Sequence, residues 1–343
     1  MKRIQEVIKK KAKEYEERRV YVKCQTQHFL MVTVLLILLG IFVEFAYYST
    51  IGQLGQKIAF EIVKVHVVKF GGIVGYAFLI DWLAAFLVGT LPRQLKEGLL
   101  FPLHRPTVLN TMLLILMFSL DAPISVFCVA ITVVALFSQN TRHGYSYYTF
   151  HPALIAYVVG VIGLMATQYN LGLTDISPSL TAPYRTTVYE LHSSLTAFKQ
   201  HYYSMTNVIF GLFEGGMSYT LIIPLCVSAL FLMRRRVIEW RVVVVYFLGY
   251  ILTGGLMGIL IGQPLWLTVL FLLNGSIVLS GIFLLPDAVT FSRIVSFKYI
   301  YVVGAAVLSA VGCYFVHFVI APYLVLLLLQ GLVFLVGQMK RLG

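Results

Sequence analysis

Four carboxylates stand in or beside long apolar runs: Glu44, Asp81, Asp121 and Asp287. A charge at mid-bilayer costs about 2.5–3.5 kcal/mol on insertion scales, so each is expected to face protein or water rather than lipid. Asp81 is nearest the middle of its run and is the candidate for an ion pathway, with a purely structural role as the alternative. His317 lies near an expected helix end, where a local hydrogen bond accounts for it. A different chemistry is suggested by Gly215-Gly216-Met217-Ser218-Tyr219-Thr220. Free N–H groups and two hydroxyls at such a turn can hold a phosphate or the edge of a flavin ring. A plain glycine-rich turn is the alternative. No Walker loop, GxGxxG before a helix, HExxH or GxSxG is present.

The elements that would position these groups are membrane helices. The chain has 343 residues, 59% of them hydrophobic and only 12% charged. A soluble domain carries about twice that charge, which excludes an ordinary soluble enzyme. Ten apolar runs follow a polar head, at about 29–49, 70–91, 107–120, 124–138, 152–168, 206–233, 240–261, 265–286, 299–317 and 319–337. A bilayer crossing takes roughly 20 apolar residues in a helix. The expected class is therefore an all-α, polytopic membrane protein of about ten transmembrane helices. Some of these are discontinuous: Asp121-Ala-Pro123 separates two short runs, and Asn274-Gly275-Ser276 interrupts another. Irregular backbone at membrane depth is tolerated only where protein or a water-filled cavity satisfies it.

Residues 1–28 hold nine Lys or Arg and four Glu, without Pro or Gly, and read as a basic amphipathic helix. It suits the anionic cytoplasmic leaflet, or a docking surface for a partner protein of the same complex. Nothing in it resembles a cleavable signal peptide. The formal net charge of +12 does not point to nucleic acid, because the basic residues fall in the gaps between apolar runs. With a cytoplasmic N-terminus, the inside segments hold 21 of the 26 Lys and Arg, leaving Lys57, Lys64, Lys69, Arg185 and Lys199 outside. That asymmetry predicts a multi-pass protein of the cytoplasmic membrane with both termini inside. It puts the long Ser-, Thr- and Tyr-rich stretch 169–205 on the outer face, as a functional loop or a cap over the helices.

Cys24, Cys128, Cys226 and Cys313 are far apart, so they read as small buried hydrophobes rather than a disulfide or zinc set. Gly71 with Gly75, Gly254 with Gly258, and Gly258 with Gly262 have the spacing of close helix packing. His151-Pro152-Ala-Leu154 and Ala321-Pro322-Tyr-Leu324 each open an apolar run, a faint sign of a 5+5 repeat with one interrupted helix in each half.

Three further stretches carry a family likeness. They are Gly144 through Leu154, Gly215 to Leu221 and Leu284 to Thr290; with these in order, the chain over about 30–340 resembles the NqrB/RnfD family, membrane components of the sodium-pumping NADH:quinone oxidoreductase, Nqr, and of the Rnf electron-transport complex. Gly144 through Leu154 is similar to the family's glycine and Asn-Pro-Phe-Asn-Pro-Ala segment, with His151 at an Asn position. Gly215 to Leu221, followed by Arg234-Arg235 and Trp240-Arg241, resembles its Gly-Ser-x-Gly-Glu-Thr-Ser loop and downstream Trp-Arg, with Tyr219 and Leu221 for the Glu and the last Ser. Leu284-Leu-Pro-Asp287-Ala-Val-Thr290 resembles its Met-Ala-Thr-Asp-x-Val-Thr segment.

The resemblance implies a membrane electron-transfer subunit of an ion-translocating oxidoreductase complex. In that family FMN is held by a phosphoester bond to a threonine in an outer loop, attached by a flavin transferase. Asp175-Ile-Ser-Pro178-Ser179-Leu180-Thr181 matches the attachment motif at Asp175 and Thr181, with Pro178 and Leu180 in place of its Ser and Ala. Thr181 is thus the expected FMN site. Gly215, Gly216, Ser218 and Thr220 are the expected contacts of a second, non-covalent flavin. Implied partners are other membrane subunits, an exported FMN-binding flavoprotein and the transferase. The family's scaffold is similar to that of urea transporters, so a flavin-less solute channel or transporter is one alternative. The other is a purely structural anchor that docks its partners through residues 1–28.

Overall fold

The computed structural model describes residues 2–50, 56–87, 106–118, 122–139, 150–170, 217–262, 275–287, 297–315 and 320–342. No strand occurs among the described residues. Helix α1 spans Lys2–Thr50, α2 Gln56–Leu87, α3 Pro106–Met117, α4 Ile124–Gln139 and α5 Pro152–Asn170. Then come α6 (Met217–Thr220), α7 (Ile222–Arg234), α8 (Trp240–Leu260) and α9 (Gly275–Leu279). The chain continues through a π-helical turn, Ser280–Leu284, to α10 (Lys298–Phe315) and α11 (Ala321–Leu342).

Among the described residues, four segments are long and apolar enough to cross a membrane: Cys24–Tyr47, Gln56–Ala84, Trp240–Leu260 and Lys298–Phe315. The six shorter apolar helical segments are Pro106–Met117, Ile124–Ser138, Pro152–Leu164, Ile222–Arg234, Gly275–Leu284 and Ala321–Val336. Together they account for the ten apolar runs, and the all-α polytopic class holds. The polar head is helical, as expected, but it is not a separate element. Helix α1 continues through residue 28 without a break.

Of the two expected interruptions, the one at Asp121-Ala-Pro123 falls between α3 and α4, whereas Gly275 and Ser276 of the other are helical and Asn274 lies outside the described residues. Helix α3 ends at Met117 and α4 resumes at Ile124, after Pro123. Helix α9 starts at Gly275 and relaxes into the π turn, closed by Leu285 N–H donating to Ser280 O at 2.8 Å. The turn is seated against α8: a Cβ on Gly281 would lie 2.8 Å from Tyr246 Cδ1, so only glycine fits there. Tyr246 Oη and Ser280 Oγ meet at 3.0 Å, satisfying both hydroxyls in the core. Pro152 opens α5, where a missing N–H is harmless.

Helix α3 is the centre of the first half. Thr107 through Met117 are all buried, and the helix touches α1, α2, α4, α5 and α6. Phe118 continues this core against Tyr157 (ring centroids 4.7 Å apart) and Phe127 (5.8 Å). Helices α8 and α10 form the main pair of the second half, and α5 and α11 join the halves through Tyr157 and Tyr323 at 4.8 Å. Helix α2 is peripheral. Its buried positions, Ala59, His66, Ile73, Ala77 and Asp81, form one stripe at intervals of seven and four. Such a narrow stripe is that of a helix facing protein on one side and lipid on the other.

Two packing expectations need correction. Gly71 and Gly75 lie outside that stripe, and a Cβ on either would meet nothing within 4 Å. Their spacing therefore serves no close approach among the described residues, whereas Gly254 and Gly258 are buried as expected. Cys313 is buried, but Cys24 and Cys226 are exposed and Cys128 is intermediate. An apolar surface facing lipid accommodates a thiol as readily as a core does, so burial inside the protein does not follow from apolar context.

Candidate functional site

The broken helices converge on one buried polar junction. Its keystone is Gln25 on α1, 3% exposed. The Gln25 side chain donates from Nε2 to Val237 O at 3.2 Å and to Pro286 O at 3.1 Å. Both acceptors lie where a helix has just ended. After α7 the chain reverses through Arg236, whose φ of 57° is left-handed, and Val237 N–H donates to Leu232 O at 3.0 Å. Pro286 follows the π turn. Carbonyls freed at such ends cost several kcal/mol if left dry in a bilayer, and one amide satisfies two of them. Phe29, one turn along α1, stacks edge-on against Phe283 of the π turn at 5.0 Å.

Asp287 follows directly. It is close enough to act electrostatically on both His151 and the Tyr301 hydroxyl. His151 is buried just before α5, and its backbone N–H donates to Gln330 Oε1 of α11 at 2.8 Å. Gln330 thus serves an N-terminal N–H of α5 from a neighbouring helix. Two stretches of the resemblance, around His151 and around Asp287, are 136 residues apart in sequence and are brought into one neighbourhood. Glu239 and Lys298 form an ion pair tying the starts of α8 and α10.

The third stretch folds separately. Helix α6 packs against α1, α3 and α9. Met217 and Leu221 are buried against α1, where a Cβ on Gly40 would lie 3.2 Å from Met217 Sδ and from Leu221 Cδ1. Leu221 therefore fills with hydrocarbon a position where the resemblance has Ser. The Thr220 hydroxyl is buried and donates to Met217 O at 3.1 Å. Ser218 lies in α6; Gly215 and Gly216, like Asp175, Thr181, Asp121 and His317, are outside the described residues.

Asp81 is fully buried on the α2 stripe, as expected of an intramembrane carboxylate. Glu44 also faces protein, and its partner is His66 of α2, Nδ1 to Oε2 at 2.8 Å. The two side chains are only 12% and 6% exposed. Sequence reasoning singled out Glu44 but not His66, Gln25 or Gln330. The available signal was that His66 is the one histidine of α2 and Glu44 the one charged residue of α1 beyond residue 28.

Apolar helices joined at their ends by buried amides, with carboxylates on protein-facing stripes, define a membrane-embedded helical protein. The chain belongs to the NQR2, RnfD, RnfE family, whose pattern matches residues 22–339. It is thus a multi-pass membrane protein and a subunit of an Rnf/Nqr-type complex with other membrane subunits. None of the curated proteins compared with the chain matches it.

Proposed function

We propose that this chain is the electron-transfer subunit of its complex, carrying FMN through a phosphoester bond on Thr181. Family membership over residues 22–339 carries the reading. Asp175 and Thr181, six residues apart as in the family's attachment motif, support it, as does the distribution of Lys and Arg that favours an outer position for the loop 169–205. When bound, FMN would supply one- and two-electron chemistry; the protein's part is to position the flavin and tune its potential. The same reading has the protein in the cytoplasmic membrane with both termini inside. An exported transferase would modify Thr181, and an exported FMN-binding flavoprotein would exchange electrons with it. A second, non-covalent flavin beside Gly215, Gly216, Ser218 and Thr220 belongs to the proposal in a restricted form. Met217 and Thr220 are engaged in packing and an internal hydrogen bond, so such a flavin would rely on backbone N–H groups.

One gel tests the covalent flavin. The protein co-expressed with a flavin transferase is expected to give a fluorescent band under denaturing conditions, and Thr181→Val to abolish it. A dark wild-type band beside a fluorescent control substrate of the same transferase refutes the assignment. It would favour the flavin-less transporter reading, which the hydrocarbon filling at Leu221 already suits.

A further inference from the structure

The turn between α7 and α8 concentrates positive charge. Arg234, Arg235, Arg236 and Arg241 all fall within the stretch 234–241, where one helix ends and the next begins. All four are exposed, and none forms an ion pair among the described residues. The one acid of that stretch, Glu239, is taken by Lys298 at the start of α10. Two of the guanidinium groups lie over aromatic rings instead. Arg235 is 5.6 Å from the centre of the Phe231 ring, and Arg241 is 5.7 Å from that of Trp240. Arg236 supplies the left-handed residue of the reversal, a conformation that does not call for arginine.

Below the arginines the outward surface is hydrocarbon. On α7 an exposed stripe runs through Ile223, Val227 and Leu230 and ends on Arg234. On α8 another starts at Arg241 and continues through Val244, Leu248 and Leu252. Spacings of three and four residues keep each arginine on the same face as its apolar neighbours. The other faces are occupied by protein: α7 packs against α1 and α9, and α8 against α10 and the π turn. Trp240–Leu260 is long and apolar enough to cross a membrane, so its first turn lies at one bilayer surface. Trp240 is exposed there, as is Tyr299 of α10, and such amphipathic rings suit the headgroup level.

We propose that the α7–α8 turn binds an anionic phospholipid, with Arg234, Arg235 and Arg241 on the headgroup phosphate and the two outward stripes along its acyl chains. Guanidinium suits phosphate because its fork of N–H donors meets two oxygens at once. Stacking on Phe231 and Trp240 restrains two of the forks beforehand, so less side-chain freedom is lost on binding. Charge and hydrocarbon lie in one outward band, as headgroup and chains do in a lipid. An acidic partner protein would answer the charge and leave the stripes unmatched. The site needs only that α8 spans the bilayer, on whichever side the turn lies, and it does not depend on a flavin.

Quenching of Trp240 by lipids with brominated chains tests this in full-length protein in vesicles. Trp82→Phe and Trp266→Phe leave Trp240 as the reporting tryptophan. Brominated phosphatidylglycerol in phosphatidylcholine vesicles is expected to quench as a lipid bound roughly fivefold or more in preference to brominated phosphatidylcholine. Raising the salt concentration should weaken that preference. Changing Arg234, Arg235 and Arg241 together to Gln should bring the two lipids to parity, with circular dichroism confirming that the variant stays helical. Lys57→Gln with Lys64→Gln, a control on α2, should leave the preference intact. Equal quenching by both lipids, or a preference that survives the triple variant, overturns the site. Relief of quenching by excess glycerol 3-phosphate would mark a small-anion site and overturn the lipid assignment. Loss of the preference in the assembled complex would show that another subunit covers the turn, and would overturn the lipid as its occupant.

Discussion

The apolar part of helix α1, Cys24–Tyr47, is held at its two ends by opposite kinds of polar chemistry. Near residue 25 a neutral amide is buried against two backbone carbonyls from broken helices. Near residue 44 a carboxylate meets an imidazole. The first contact has one protonation state at any physiological pH, which suits a joint that must hold three chain segments permanently. The second joins two ionisable groups across two helices. In a bilayer every buried polar group must be answered, and the two ends of this stretch answer theirs with different chemistry.

Breaking the amide end should have the largest effect. Gln25→Leu removes the side-chain hydrogen bonds to Val237 O and Pro286 O, at about 1–3 kcal/mol each. Thermal unfolding in detergent should show a large fall in Tm with no dependence on pH; a pH-dependent fall would erase the contrast between the two ends. Gln330→Leu removes one acceptor from the His151 N–H and should cost about 1–2 kcal/mol, again independent of pH. The ionisable end should behave differently. Glu44→Gln keeps a hydrogen-bonding group beside His66, so its cost should be about 1 kcal/mol, read as a smaller fall in Tm than that of Gln25→Leu. Smallest of all is Gly71→Ala, on the outward side of α2, where nothing lies within 4 Å of the added methyl. It should move stability by less than about 0.5 kcal/mol in the isolated protein. A larger loss there would mean that α2 is supported on that side by another part of the chain.

Much of the architecture could be read from residue types. Ten apolar runs became ten helical segments because hydropathy is a local property that a bilayer reads directly. The break before α4 fell at Pro123, where proline cannot continue a helix cheaply. Less of the site was legible. Glu44, Asp81 and Asp287 were visible as carboxylates in apolar context, but their surroundings were not. Gly71 and Gly75 misled, since spacing reveals that a helix has a smooth face and not whether anything approaches it.

The residues in order thus determined the class, the apolar helical segments and the break at Pro123, set by side-chain hydrophobicity and backbone preference over a few neighbouring positions, while motif likeness gave the family. Which broken ends share Gln25, which helix supplies His66 to Glu44, and which supplies Gln330 to the His151 N–H were decided by the tertiary structure alone. Those pairings join residues 22 to 261 positions apart. They depend on which helix faces come together, a property of packing that no window of sequence contains.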